Sequence, residues 1–169
     1  MRDRPGGFSL IELLAVLAVL AVLLGLGAPH FSAWLARLRT EETAQAFERT
    51  LVQARNESLA RGQRVVVAPR EGDWAGGWDV FLDANLNGTL DAGDTELTRH
   101  QSSGEVPVLA DFGDGWGGRI VFLPGGFVRG ADGAPVAGRM RFGPADLQRT
   151  VCLSLLGKPQ LVKGATCPA

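Results

Sequence analysis

The sequence predicts an α+β fold in which a long N-terminal helix, transmembrane at its start and amphipathic further on, packs on an antiparallel β-sheet domain. Three observations predict it. Residues 8–29 are apolar apart from one charge, apolar residues then recur by threes and fours as far as Leu59, and beyond Gly62 the period shortens to two in brief runs cut by Gly, Asp, Asn and Pro.

Phe8 to Pro29 is 22 residues with Glu12 as the sole charge. At about 1.5 Å rise per residue, such a helix spans a hydrocarbon core of roughly 30 Å. Arg2 and Arg4 precede it, which by the positive-inside rule leaves the N-terminus cytoplasmic and sends the remainder outward. The alternative is an ordinary signal peptide cleaved before Ala28, and Glu12 inside the apolar run speaks against it. A carboxylate at the centre of a bilayer costs roughly 2.5 to 3.5 kcal/mol on insertion scales, so it needs either a partner or a way to snorkel to the interface.

The helical pattern continues through Phe31, Trp34, Leu35, Leu38, Phe47, Leu51, Ala54 and Leu59, with one polar gap from Thr40 to Thr43. Arg61 followed by Gly62 is a good helix C-terminus, and Gly25, Gly27 and Pro29 mark a weak point inside the helix. The predicted organisation is therefore a leader over 1–7, a transmembrane segment over 8–29, an amphipathic continuation over 30–62 and a β-rich domain over 63–169.

In that last segment "RVVVAP", "GWDVFLD", "TELTRH", "RIVFLP", "RMRF" and "TVCLSLL" read as strands. The 23 glycines and nine prolines, most of them beyond Arg61, supply the turns between them. Charge is uneven along the chain. From Phe8 to Gly118 there are 8 basic and 15 acidic residues, and from Arg119 to Ala169 there are 7 and 2. The two cysteines, Cys152 and Cys167, lie in the tail of a chain that reads as exported; they predict a disulfide, against a pair of buried thiols.

The candidate chemistry is sparse. "GDGWGG" at 113–118 matches GxGxxG, yet a strand-like run follows where a dinucleotide site needs a helix N-terminus. "DANLNGTLDAGD" places Asp83, Asn85, Asn87, Gly88, Asp91 and Asp94 at positions 1, 3, 5, 6, 9 and 12 of an EF-hand-type calcium loop, with the carbonyl of Thr89 at position 7. Asp94 stands where a glutamate is usual, and strands rather than helices flank the loop, so a long hairpin loop held by Asx turns and Gly88 is the other reading. Ser9, Ser58 and Ser154 have no histidine close in sequence, His30 and His100 lie far apart, and no cysteine–histidine cluster has zinc spacing. No enzyme is expected, and no cofactor other than a possible calcium ion.

The stretch "GGFSLIELL" resembles the signal of type IV pilins and type II secretion pseudopilins: a short basic leader, a glycine, a phenylalanine, and a glutamate four residues beyond it. Pro29 stands where pilins commonly carry a proline. "ARNESLARGQRVVVAP", "GWDVFLDANLNGTLDAGD" and a "GKPQ" turn between two late strands narrow the likeness to the GspH/FimT family of minor pilins and pseudopilins, over most of the chain. The resemblance implies that a prepilin peptidase cuts after Gly7 and N-methylates Phe8. It further implies that Glu12 meets the Phe8 amine of a neighbouring subunit, and that the chain is held in the bacterial inner membrane, its C-terminal domain periplasmic, until it joins a filament of pilin-like subunits. The implied function is assembly for type II secretion or a type IV pilus. The alternative is DNA uptake, for which relatives use a Gly-Arg-x-Arg turn near the C-terminus. Here the turn reads Gly157, Lys158, Pro159, Gln160, which leaves Lys158 and Lys163 as the nearest cations; "GRMRF" at 138–142 spells the motif one strand too early.

Overall fold

The computed structural model describes residues 9–112, 116–130 and 132–168, apart from the side chains of residues 23–30. The chain divides into two units, Met1–Ala36 and Arg37–Ala169. One helix, α1 (Leu10–Arg61), belongs to both, and the glycines and proline at 25, 27 and 29 do not interrupt it.

In the first unit, α1 begins with a reciprocal pair of hydrogen bonds. The Glu12 N–H donates to Ser9 Oγ at 3.3 Å and the Ser9 N–H donates to Glu12 Oε2 at 3.4 Å. This is a capping box, which satisfies two backbone donors that the helix start would otherwise leave open. From Leu10 to Val22 the large apolar side chains are exposed around the whole circumference of the helix. Phe31 and Trp34 are also exposed, their rings 5.7 Å apart.

In the second unit, α1 buries Thr40, Ala44, Phe47, Leu51, Ala54 and Ser58. Their alternating spacing of four and three lines one face of the helix, and the small residues let it lie close to the strands. The polar gap of the sequence lies on this face. Thr40 is buried beneath Gly143, where φ is +85° and an added Cβ would stand 2.5 Å from the threonine methyl. Only glycine meets both demands.

The strands form two antiparallel sheets. The first contains β1 (Val65–Arg70), β2 (Asp73–Leu82), β3 (Thr95–Gln101), β5 (Ile120–Phe122) and β6 (Val128–Arg129), in the order β3-β2-β1-β5-β6. The second contains β4 (Val108–Asp111), β7 (Gly138–Phe142), β8 (Arg149–Leu153) and β9 (Pro159–Lys163), in the order β4-β7-β8-β9. Neither β4 nor β6 has a legible alternation, because β4 is a short edge strand and β6 has two residues.

Phe47 joins the layers. Its ring packs edge-on against Trp74 and Trp78 of β2, at 5.6 and 5.0 Å, and against Phe142 of β7 at 5.4 Å. Trp78 is fully buried and its indole N–H donates to Thr50 Oγ1 at 3.0 Å, so the only polar atom of that side chain is satisfied. The run Val65-Val66-Val67 is buried on both faces of its sheet. Val65 and Val67 enter the main core, while Val66 packs with Phe81 and Val121 under Leu90 and Leu123. A strand covered on both sides reads as a continuous apolar run rather than an alternation.

Cys152 and Cys167 are joined by a disulfide, which ties the C-terminal tail back to the penultimate strand. Closing a loop of this size stabilises a fold by about 3 kcal/mol, chiefly by restricting the unfolded chain. Reduction should therefore lower the melting temperature by several degrees. Rapid alkylation of both thiols in protein isolated without reductant would contradict the bridge.

Candidate functional site

The processing positions Gly7 and Phe8 lie outside the described residues. Glu12 is exposed on the first turn of α1, amid exposed Leu10, Ile11, Leu13, Leu14, Val16 and Leu17. Among the described residues no helix is long and apolar enough to cross a membrane; the expected span over 8–29 includes Phe8 and the side chains of 23–30, which are not among them. What the described part shows is a helix apolar on every side. Such a helix is stable in water only when lipid or other helices cover it.

The loop Asp83–Asp94 connects β2 to β3, and Leu90 pins it to the outer face of the first sheet. Its backbone is organised by Asx-type bonds. Asn85 Oδ1 accepts from the Asn87 N–H at 3.0 Å, Asn87 Oδ1 from the Thr89 N–H at 2.7 Å, and Asp91 Oδ1 from the Gly93 N–H at 2.9 Å. Asp94 closes the loop by accepting from the N–H groups of Ala84 and Asp91. Gly88 has φ +71°, and an added Cβ would meet Arg119 at 2.8 Å.

The structure brings Asn85, Asn87 and Asp91 together, since both amide groups donate to Asp91 Oδ2, at 2.7 and 2.8 Å. The Gly93 N–H, followed by the two amides, holds the Asp91 carboxyl below the usual range. Asp83 stands apart with its side chain buried. Its Oδ2 accepts from the Gly88 N–H at 3.0 Å and lies 3.1 Å from Arg64 Nε. Among the described residues no three His, Cys, Asp or Glu side chains are grouped as metal ligands. Two arginines that the sequence did not single out hold the loop from the sheet: Arg119 donates to the Gly88 carbonyl at 2.9 Å and Arg64 to that of Leu86 at 3.4 Å.

The basic tail is only partly available for a partner. Arg139 pairs with Asp111 at 2.7 Å, and the largely buried Arg149 pairs with Glu41 of α1. Burial raises the Glu41 pKa, but the Arg149 hydrogen bond, with Gln45 and the Arg149 charge, outweighs it and holds the carboxyl below its ordinary value. Lys158 lies in the β8–β9 turn and Lys163 at the far end of β9, so the two lysines do not converge. Lys158 instead lines a cleft of about 560 Å³ with Arg139, Gln160 and the disulfide. This juxtaposition joins the "GRMRF" strand to the late turn. The register that makes it, Arg139 opposite Cys152 and Cys152 opposite Gln160, has no signal in the sequence.

The hydroxyls of Ser9, Ser58 and Ser154 are engaged with backbone. Ser58 is buried and donates to the Arg55 carbonyl at 2.7 Å, Ser9 caps α1, and Ser154 Oγ accepts from the Lys158 N–H at 3.2 Å. His100 stacks on Trp78 with ring centroids 4.1 Å apart; burial, and then the charge of Arg49, push its pKa down.

Residues 43–157 match the family model described as Type II transport protein GspH, and residues 2–28 match that of the prokaryotic N-terminal methylation motif. No curated protein matches the chain. Among solved structures, the fold is similar to the type IV minor pilin FimU of Pseudomonas aeruginosa. One crystal form gives 20% identity over 75% of this chain and 90% of that one, with a TM-score of 0.59. It is also similar to the minor pseudopilin EpsH from the Type 2 Secretion System of Vibrio cholerae, at 15% identity over 74% of this chain and 97% of that one, with a TM-score of 0.52.

Proposed function

This chain belongs to the GspH family of type II transport proteins, and from that premise we propose that it is a minor pilin or pseudopilin, a structural subunit of a filament anchored in the bacterial inner membrane that serves type II secretion or a type IV pilus. One observation carries the reading: a helix apolar around its whole circumference from Leu10 to Val22, within a segment that matches the N-terminal methylation motif. Such a helix suits lipid before assembly and the helices of neighbouring subunits after it.

In this reading a prepilin peptidase removes Met1–Gly7 and methylates Phe8. The N-terminus is cytoplasmic, the domain beyond Gly62 is periplasmic, and the partners are other pilin-like subunits. The role is mechanical rather than enzymatic. DNA uptake gains no comparable support, because Arg139 and Arg149 are engaged in ion pairs and the two lysines stand at opposite ends of β9.

Intact-mass analysis of the membrane form, made in cells with a prepilin peptidase, tests the proposal. The expected product lacks Met1–Gly7 and carries one methyl group on Phe8, and replacing Gly7 leaves the precursor uncut. A mature chain beginning at Ala28 would identify an ordinary secreted protein.

A further inference from the structure

We propose that the Asn87-Gly88 pair, in the loop between β2 and β3, is a latent modification site: Asn87 converts spontaneously to aspartate or isoaspartate once the loop opens, and Asp83 withholds that conversion while the loop is closed. The inference goes beyond filament assembly and does not depend on it.

The chain has three asparagines, and only Asn87 is followed by glycine. Glycine has no side chain to block the approach of its backbone nitrogen to the asparagine side-chain carbonyl. In the reaction the Gly88 nitrogen loses its proton and bonds to Asn87 Cγ, the Cγ–Nδ2 bond breaks, and ammonia leaves with a proton in exchange. The product is a cyclic succinimide. Water then opens one of its two carbonyl–nitrogen bonds, giving aspartate by one route and isoaspartate by the other, and nothing is oxidised or reduced. Asn85 precedes Leu86 and Asn56 precedes Glu57, whose side chains crowd the same step.

In the closed loop each reacting group is engaged. Asn87 is exposed, but Gly88 is buried and its N–H donates to Asp83 Oδ2 at 3.0 Å. The Asp83 side chain is itself fully buried, and Arg64 Nε lies 3.1 Å from the same oxygen. Deprotonating Gly88 would put an anionic nitrogen beside that carboxylate, and a like charge so close disfavours the charged form. A carboxylate is also far too weak a base to take the amide proton itself. On the other reacting group, Asn87 Oδ1 accepts from the Thr89 N–H and hydroxyl, both at 2.7 Å, and Nδ2 donates to Asp91 Oδ2 at 2.8 Å. Any turn of this amide toward the Gly88 nitrogen breaks hydrogen bonds. Arg119, donating to the Gly88 carbonyl at 2.9 Å, fixes the far side of the glycine.

The change runs one way. Conversion replaces the Asn87 donor to Asp91 by a carboxylate oxygen, so two like charges meet where a hydrogen bond stood, and isoaspartate also lengthens the backbone by one atom. A loop that has reacted does not close again in the same form.

The test is peptide mapping by mass spectrometry of the full chain in detergent, incubated in mildly alkaline buffer either folded or in concentrated urea, with the gain of one mass unit scored at each asparagine. In urea Asn87 should convert well ahead of Asn85 and Asn56. In the folded chain a hydrogen bond to a charged acceptor must break first, so Asn87 should convert roughly ten- to a hundredfold more slowly than in urea. Asp83→Asn keeps an oxygen to accept from Gly88 but removes the charge. A neutral acceptor is about half as strong, so conversion at Asn87 should be roughly three- to tenfold faster than in the folded wild type. Unchanged conversion at Asn56 should show that the domain has not opened as a whole. If that variant fails to fold, amide hydrogen exchange of the wild type carries the test: conditions that raise Gly88 exchange should raise Asn87 conversion in proportion. Equal conversion of Asn87 in the folded and urea-treated wild type would overturn the proposal. So would a wild-type rate in folded Asp83→Asn, or conversion that does not follow Gly88 exchange.

Discussion

Phe47→Ala should destabilise the Arg37–Ala169 unit by about 3–5 kcal/mol, the range for removing a fully buried aromatic ring from a core that does not collapse around the gap. Collapse is restricted here because the ring has neighbours in both sheets. Trp74 and Trp78 approach it edge-on from β2 and Phe142 packs against it at a tilt from β7, and filling the space from one side would pull the ring partners of the other side apart. A small domain has only about 5–15 kcal/mol of net stability, so this loss is a large share of it. Urea melts followed by far-UV circular dichroism should show the midpoint falling sharply, with Phe47→Leu closer to wild type because it keeps most of the volume. Val52→Ala, on the exposed face of the same helix, is the control and should change little. A loss of less than about 1 kcal/mol for Phe47→Ala would mean that this ring is not the joint between the layers.

The helix that carries Phe47 is legible in the sequence for a physical reason. A long run with period 3.6 leaves many residues to report the same face, and Phe47, Leu51 and Ala54 all lie on it, fully buried. The same stripe overreaches at its ends: Phe31, Trp34 and Leu59 keep the spacing but are exposed, because periodicity fixes a face and says nothing about what covers it. The polar stretch from Thr40 to Thr43 misleads in the other direction. It looks like a break in the stripe, yet Thr40 is buried and Glu41 pairs with Arg149 across 108 residues of sequence. No local signal marks such a pair.

The same limit separates what was readable at the candidate sites from what was not. The loop was readable because its Asp and Asn side chains are neighbours in sequence and each Asx bond reaches only two residues ahead. Arg64 and Arg119, which hold that loop, stand just before β1 and β5 and enter only with the fold. The cleft around Lys158 is likewise a product of strand register. Even Glu12 has a local partner that its apolar surroundings obscure, since Ser9 three residues earlier completes a capping box.

That capping box makes Glu12→Gln the decisive substitution for filament assembly, because it separates two roles that Glu12→Val removes together. Glutamine serves at the third helical position of a capping box much as glutamate does, so the helix start should survive. The charge does not. If Glu12 acts, as the resemblance to type IV pilins implies, by meeting the amine of Phe8 on a neighbouring subunit, both variants should enter the membrane as well as or better than the wild type, since each removes a carboxylate that costs roughly 2.5–3.5 kcal/mol in the hydrocarbon region. Both should then fail to assemble. Losing a pairing worth even about 1.4 kcal/mol reduces the association constant of each subunit about tenfold. Ser9→Ala isolates the opposite case: it weakens the cap by about 0.5–2 kcal/mol, leaves the charge in place, and should still assemble. The measurement is the ratio of filament-associated to membrane-associated protein for the three variants at matched expression. Normal incorporation of Glu12→Gln together with failure of Ser9→Ala would show that the helix cap, and not charge neutralisation between subunits, is what Glu12 supplies.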